Sequence, residues 1–178
     1  MKRFRVYVLL ALVATLTGAQ DGTTRTAARS QFHAPTHVAL DQVRWTGTKW
    51  YPEAFRRVYR YKPLIGTGRN DGAAVPQKDV LMGILELDGG ATYAAHRHPA
   101  PEVYYVLSGQ AQWTLGDETF LATPGTAIYT PPNTLHRMVN KGNEKLRIAY
   151  FWWAPGGDTK VLSVRSEVLE PWPPSEQP

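Results

Sequence analysis

The 178-residue sequence contains no cysteine. Disulfides, thiolate metal ligation and a cysteine-borne lipid anchor are excluded, so packing alone must hold the core together. Basic blocks are also missing. Lys and Arg occur at most in pairs such as Arg56-Arg57, which leaves no stripe to track phosphates and argues against a nucleic-acid partner. The uncharged stretch from Val6 to Gln20 is 15 residues long, short of the roughly 20 that cross a bilayer. Strands alternating with long amphipathic helices are absent, which argues against a parallel α/β fold.

What the N-terminus does have is Lys2, Arg3 and Arg5, an apolar run from Val6 to Leu16, then the small residues Gly18 and Ala19. This three-part pattern is that of a secretory signal peptide over residues 1–19, cut near Ala19. It places the mature protein in the periplasm or outside the cell, with no membrane partner after cleavage. Three positive charges leave with the signal, taking the formal net charge from +5 to +2.

Residues 20–36 are polar and without period, which predicts a flexible lead-in. Residues 37–78 form an N-terminal extension in which aromatics and basic residues mix (Trp45, Trp50, Tyr51, Phe55, Tyr59, Tyr61), closed by Pro63. Short strands or one helical turn packed on a sheet are expected there. From Asp79 to Pro155, short strand-like runs alternate with turn residues at close intervals, the rhythm of an antiparallel barrel or jelly roll. The predicted fold class is all-β: one barrel over 79–155, followed by a surface tail over 156–178 that ends in PWPPSEQP. With no internal repeat and no room for a second barrel, a duplicated architecture is not expected. The rings of Val43 to Tyr61 exceed what a short extension buries in its own barrel, and this predicts a homodimer through that segment.

Three of the five histidines lie in two spaced patterns. Gly90 is followed after five residues by His96-Arg97-His98, after three by Glu102 and after six by Gly109; Gly125 is followed after five by Pro131-Pro132-Asn133, after two by His136 and after three by Asn140. These patterns resemble the two motifs of the cupin superfamily, with Asn133 where the second motif usually has Gly. Asn is the next best residue for a left-handed turn. The resemblance implies a single jelly-roll barrel with a metal held by His96, His98, Glu102 and His136. The spacing agrees: residues two apart on a strand share a face, so His96 and His98 project inward together. Glu102 opens the next strand, and His136 returns from far along the chain. Three imidazoles and a carboxylate suit one divalent transition metal, Fe, Mn, Zn, Ni or Cu.

By the same period Tyr104 shares the inward face with Glu102, and Tyr105 faces away. Tyr93 sits just ahead of the histidine pair. Trp113, Phe151, Trp152 and Trp153 are candidates for the barrel mouth, the faces of the last three being left open by alternation. Arg97 and Arg137 each follow a proposed ligand and belong to the outer face as surface charge. Glu86 and Asp88 precede a Gly89-Gly90 turn and are expected to be exposed, leaving Glu102 as the one inward acid and a tyrosine as the natural acid–base group.

The segment YAAHRHPAPEVYYVLSGQAQW is similar to the cupin-type dimethylsulfoniopropionate lyases. That resemblance implies Tyr104 as the catalytic base, Tyr93 as the second catalytic tyrosine, and a small-molecule carboxylate as substrate. The same donor set also suits an Fe(II)-dependent dioxygenase, and a third reading is a periplasmic cupin that binds metal or a small ligand without turnover.

Overall fold

Runs of branched and aromatic residues cut by tight turns favour β-strands, and the computed structural model is built almost wholly of them. It describes residues 37–47, 51–67 and 72–171. The signal-peptide and lead-in expectations fall on residues 1–36, outside the described residues. Among those described, one short α-helix, α1 (Glu53–Val58), precedes eleven strands, with three 3-10 turns outside them. These are β1 (Tyr59–Gly66), β2 (Val75–Pro76), β3 (Val80–Leu87), β4 (Thr92–Arg97), β5 (Glu102–Ser108) and β6 (Ala111–Leu115). They continue as β7 (Glu118–Ala122), β8 (Ala127–Thr130), β9 (His136–Val139), β10 (Leu146–Trp153) and β11 (Glu167–Val168).

The strands form two sheets, ordered β2-β1-β3-β10-β5-β8 and β11-β4-β9-β6-β7. Leu85, Leu87, Tyr104, Val106 and Ile148 of the first meet Tyr93, Ala111, Trp113, Ala122 and Met138 of the second in one buried cluster. This is the all-β jelly roll expected. The turn from β5 to β6 requires Gly109, whose φ is +74° and where a Cβ would lie 2.6 Å from the Lys145 carbonyl oxygen.

Pro63 does not close the N-terminal segment. It lies inside β1, at a register shift between Pro63 and Ile65 on β3, a place where a missing N–H is tolerated. Strand β1 is thus a full member of the first sheet. Its inward Tyr59 and Tyr61 pair in register with Leu87 and Leu85, and its outward Arg60 and Lys62 with Glu86 and Ile84. The helix buries Phe55 and Val58, and Phe55 stacks on Tyr59 at 4.9 Å. The rings that suggested an interface between copies are therefore largely used within their own barrel. Beyond the barrel, Leu162 is buried with Ala100 and Ala154, and β11 pairs with β4. The segment after Pro155 is docked through these contacts rather than lying loose, and PWPPSEQP falls almost wholly outside the described residues.

Glu86 corrects the expectation of exposure. It is 1% exposed on the outward face of β3, where Val38, Val43 and Trp45 of the N-terminal segment pack against Leu64, Ile84 and Ala149 of the sheet. Its partners come from both neighbouring strands: Arg60 Nε donates at 2.7 Å and Arg147 Nε at 2.8 Å. The Trp45 ring lies over the Arg60 guanidinium at 4.5 Å and the Lys62 ammonium at 4.9 Å. Desolvation pushes the Glu86 carboxyl up, but the hydrogen bonds from Arg147 and Arg60 together outweigh it and hold the group below its ordinary value. A carboxyl depressed on folding adds stability above its unfolded pKa and loses it as pH falls through the folded one. Glu86→Gln should cost about 1–3 kcal/mol at neutral pH. It should also flatten the acid limb of stability against pH below the ordinary carboxylate range, as read by urea melts across that range. An unchanged acid limb would assign the acid sensitivity elsewhere.

Candidate metal centre

The two motifs meet across one strand pair. His96 of β4 stands directly opposite His136 of β9 in register, and their rings are 4.0 Å apart. His98 follows the end of β4, with its ring 5.0 Å from that of His136. The backbone ties the motifs together as well, because the Asn133 N–H donates to the His98 carbonyl at 2.8 Å. Asn133 has φ +59°, the left-handed conformation its position demanded.

All three imidazoles are fixed in the same way. Nδ1 of His96, His98 and His136 lies 2.8, 2.9 and 2.9 Å from the carbonyl oxygens of Ala94, Ala100 and Thr134. A carbonyl oxygen only accepts, so each Nδ1 carries a proton and each ring turns its Nε2 toward its neighbours. The three side chains are buried, with ligand atoms within 4.8 Å of one another, and could hold a metal ion. Burial pushes His96 well below its ordinary pKa, with His136 adding to the effect. Burial also lowers His136, against the opposing charge of Glu102.

Glu102 is 2% exposed and opens β5 facing these nitrogens. Its Oε2 lies 2.9 Å from His98 Nε2 and 3.6 Å from His136 Nε2. A carboxylate facing two lone pairs is repulsive unless a proton or a cation lies between them. His136 Nε2 is buried with no hydrogen-bond partner, a further sign that the donor set fits a divalent cation.

Tyr104 is buried and inward, its ring 5.9 Å from that of His136. Tyr105 faces away, as alternation required. Burial first, and then the charge of Glu102 and a hydrogen bond to it, push the Tyr104 phenol well above its ordinary pKa. Tyr93 packs on His96 at 4.5 Å. Tyr93 and His96 have opposite parity, yet both face inward. They do so because Tyr93 and His96 oppose Met138 and His136, so β4 carries one extra residue, a bulge the sequence did not reveal. The Tyr93 and Tyr51 hydroxyls share a hydrogen bond, and burial pushes Tyr51 up to about 12. On β10, Trp152 stacks on His98 at 4.1 Å. Phe151 packs in the outer cluster and Trp153 stacks on the exposed Tyr129. Trp113 is fully buried against Tyr104. Sequence reasoning missed Tyr51 as a site neighbour, because no local spacing links it to Tyr93.

Arg97 and Arg137 lie outside, and both are paired. Arg97 donates to Glu167 at 2.7 Å and Arg137 to Glu170 at 2.8 Å, clasping β11 to the back of the histidine-bearing strands.

Residues 83–153 match the cupin domain family. An uncharacterized protein, SCO3923 of Streptomyces coelicolor, is 33% identical over 89 residues, covering 48% of this chain and 84% of that protein. The dimethylsulfoniopropionate lyase DddW of Ruegeria pomeroyi is 34% identical over 91 residues, 51% of this chain and 56% of the lyase. Among solved structures, the dimethylsulfoniopropionate lyase DddQ of Ruegeria pomeroyi superposes with a TM-score of 0.61 at 19% identity, covering 77% of this chain and 64% of that one. The matched region thus spans less than two thirds of either lyase. The chain belongs to the cupin superfamily, and within it resembles the dimethylsulfoniopropionate lyases.

The convergent Nε2 atoms predict one equivalent of divalent metal per chain. Metal at a hundredfold excess over its Kd should stabilise the protein by about 2.7 kcal/mol. His136→Ala should lose most of the bound metal and most of that stabilisation, as read by elemental analysis and thermal melts. Full occupancy in the variant would remove His136 from the site.

Proposed function

We propose that the protein is a metal-dependent lyase that cleaves dimethylsulfoniopropionate, or a similar small carboxylate, by tyrosine-initiated β-elimination. The observation that carries this reading is Tyr104, held against Glu102 and beside His136 on the inward face of the barrel. His96, His98, Glu102 and His136 would hold the metal. When bound, it would polarise a substrate carboxylate, acidify the adjacent carbon and favour the ionised form of a nearby phenol.

This chain's own residues do the rest. Tyr104 Oη, as tyrosinate, takes the α-proton, and the C–H electron pair becomes the new C=C bond. The C–S bond breaks with its pair left on sulfur, giving acrylate and dimethyl sulfide, and the proton remains on Tyr104 until it passes to water. Tyr93, braced by Tyr51, lines the opposite wall beside His96. Aromatic faces suit a sulfonium cation without a partner carboxylate. The charged-then-apolar N-terminal sequence supports a periplasmic or secreted setting for this activity.

An iron-dependent dioxygenase would use the same donors, but it would need oxygen and a redox-active metal. The zinc-loaded protein assayed without oxygen should therefore still release dimethyl sulfide. Tyr104→Phe keeps the ring and removes the proton-accepting atom. It should lower kcat by about 10²-fold with metal content and fold unchanged. Undiminished release from the variant would make Tyr104 a packing residue. No release from any metal form of the native protein would end the lyase reading.

A further inference from the structure

The outer face of the first sheet gathers three cations around one acid. Arg60 of β1 and Arg147 of β10 stand in register with Glu86 of β3 from either side, and each holds a different oxygen of its carboxylate. Arg60 Nε and Nη2 reach Oε2 at 2.7 and 2.6 Å, and Arg147 Nε and Nη2 both donate to Oε1, the former at 2.8 Å. Lys62, two residues along β1 from Arg60, joins them. Its ammonium lies 4.9 Å from the centre of the Trp45 ring, with the Arg60 and Arg147 guanidinium carbons at 4.5 and 6.0 Å.

Elsewhere arginine and lysine pair with acids one to one, as Arg57 does with Glu53, Arg97 with Glu167, Arg137 with Glu170 and Lys145 with Asp88. Here one carboxylate serves two guanidiniums, and Lys62, only 9% exposed, donates to the neutral Leu40 carbonyl at 2.8 Å. Three cations against one carboxylate leave an excess of two positive charges, and charge set into a partly dry surface without a counterion is costly. Glu86 is sealed beneath, whereas the Arg60 and Arg147 side chains stay 45% and 43% exposed. Each guanidinium spends its Nε and Nη2 donors on Glu86, which leaves the Nη1 donors of both for another acceptor. The exposed Ser108, last residue of β5, stands in register with Arg147 on its other side.

We propose that Arg60, Lys62 and Arg147, walled by Trp45, form a surface anion site that takes a phosphate dianion, free or as a monoester. A phosphate monoester carries about −1.5 to −2 charges at pH 7, which matches the excess, and guanidinium forks are suited to its oxygens. The site is separate from the metal centre, because Ser108 and Glu102 end β5 on opposite sides, about 20 Å apart along the strand. It does not depend on the lyase reading.

Calorimetric titration of the zinc-loaded full chain with inorganic phosphate and with glycerol 3-phosphate, at constant ionic strength set with chloride, tests this. The native protein should bind one equivalent, and whichever ligand binds more tightly tells the free ion from the monoester. Lys62→Gln, which leaves both arginines on Glu86, should weaken phosphate about 5- to 20-fold. Ser108→Asp sets a carboxylate opposite Arg147, so it should raise the Tm in phosphate-free buffer and weaken phosphate about tenfold or more. If Lys62→Gln unfolds, Ser108→Asp alone decides. A native protein that binds neither ligand overturns the site, as does unchanged affinity in Ser108→Asp. Phosphate binding that vanishes with the metal in His136→Ala but survives in Ser108→Asp belongs to the metal centre and overturns it as well.

Discussion

Burying three imidazoles and a carboxylate within one barrel carries a desolvation cost that hydrophobic packing does not return. The chain offsets part of it locally, since each Nδ1 reaches a carbonyl two residues away. That arrangement also fixes the ring orientation, so Nε2 of His98 and of His136 face Glu102. The remaining cost falls on Nε2 atoms that face one another and a carboxylate. A proton or a cation between them would convert this repulsion into attraction.

Positioning these groups takes both sheets. The second supplies His96 and His136 as a register pair, and the first supplies Glu102 with Tyr104 two residues on. The sheets stay in place because each is backed on its outer side. Residues Val38 to Trp45 and the Glu86 cluster with Arg60 and Arg147 cover the first, and β11 backs the second. Rigid placement of this kind separates a barrel that can orient a substrate from one that merely encloses it.

Alternation and motif spacing made much of this legible from sequence. The cupin fold, the inward face of Glu102 and Tyr104, the outward face of Tyr105, Arg97 and Arg137, and the left-handed turn at Asn133 all follow from local pattern. What escaped was non-local. Glu86 looked exposed because its arginines lie 26 and 61 residues away and its roof comes from the N-terminal extension. Tyr93 reaches the site through a bulge, which shifts parity by one residue with no composition signal of its own. Pro63 looked like a strand terminator because the shifted register that accommodates it depends on β3. Trp152 and Phe151 could not be assigned faces from their run alone, since an all-aromatic sequence carries no alternation to read.

The clasp behind the histidine strands has a consequence of its own. Arg97 with Glu167 and Arg137 with Glu170 are partly exposed pairs, and charges in contact with water are screened over about 8 Å at physiological ionic strength. The imidazoles themselves are buried and feel little of this screening. Salt nevertheless acts on the strands that carry His96 and His136, because it loosens the C-terminal segment that grips them from outside. The buried histidines are in this way linked, through the strands that carry them, to the composition of the surrounding medium.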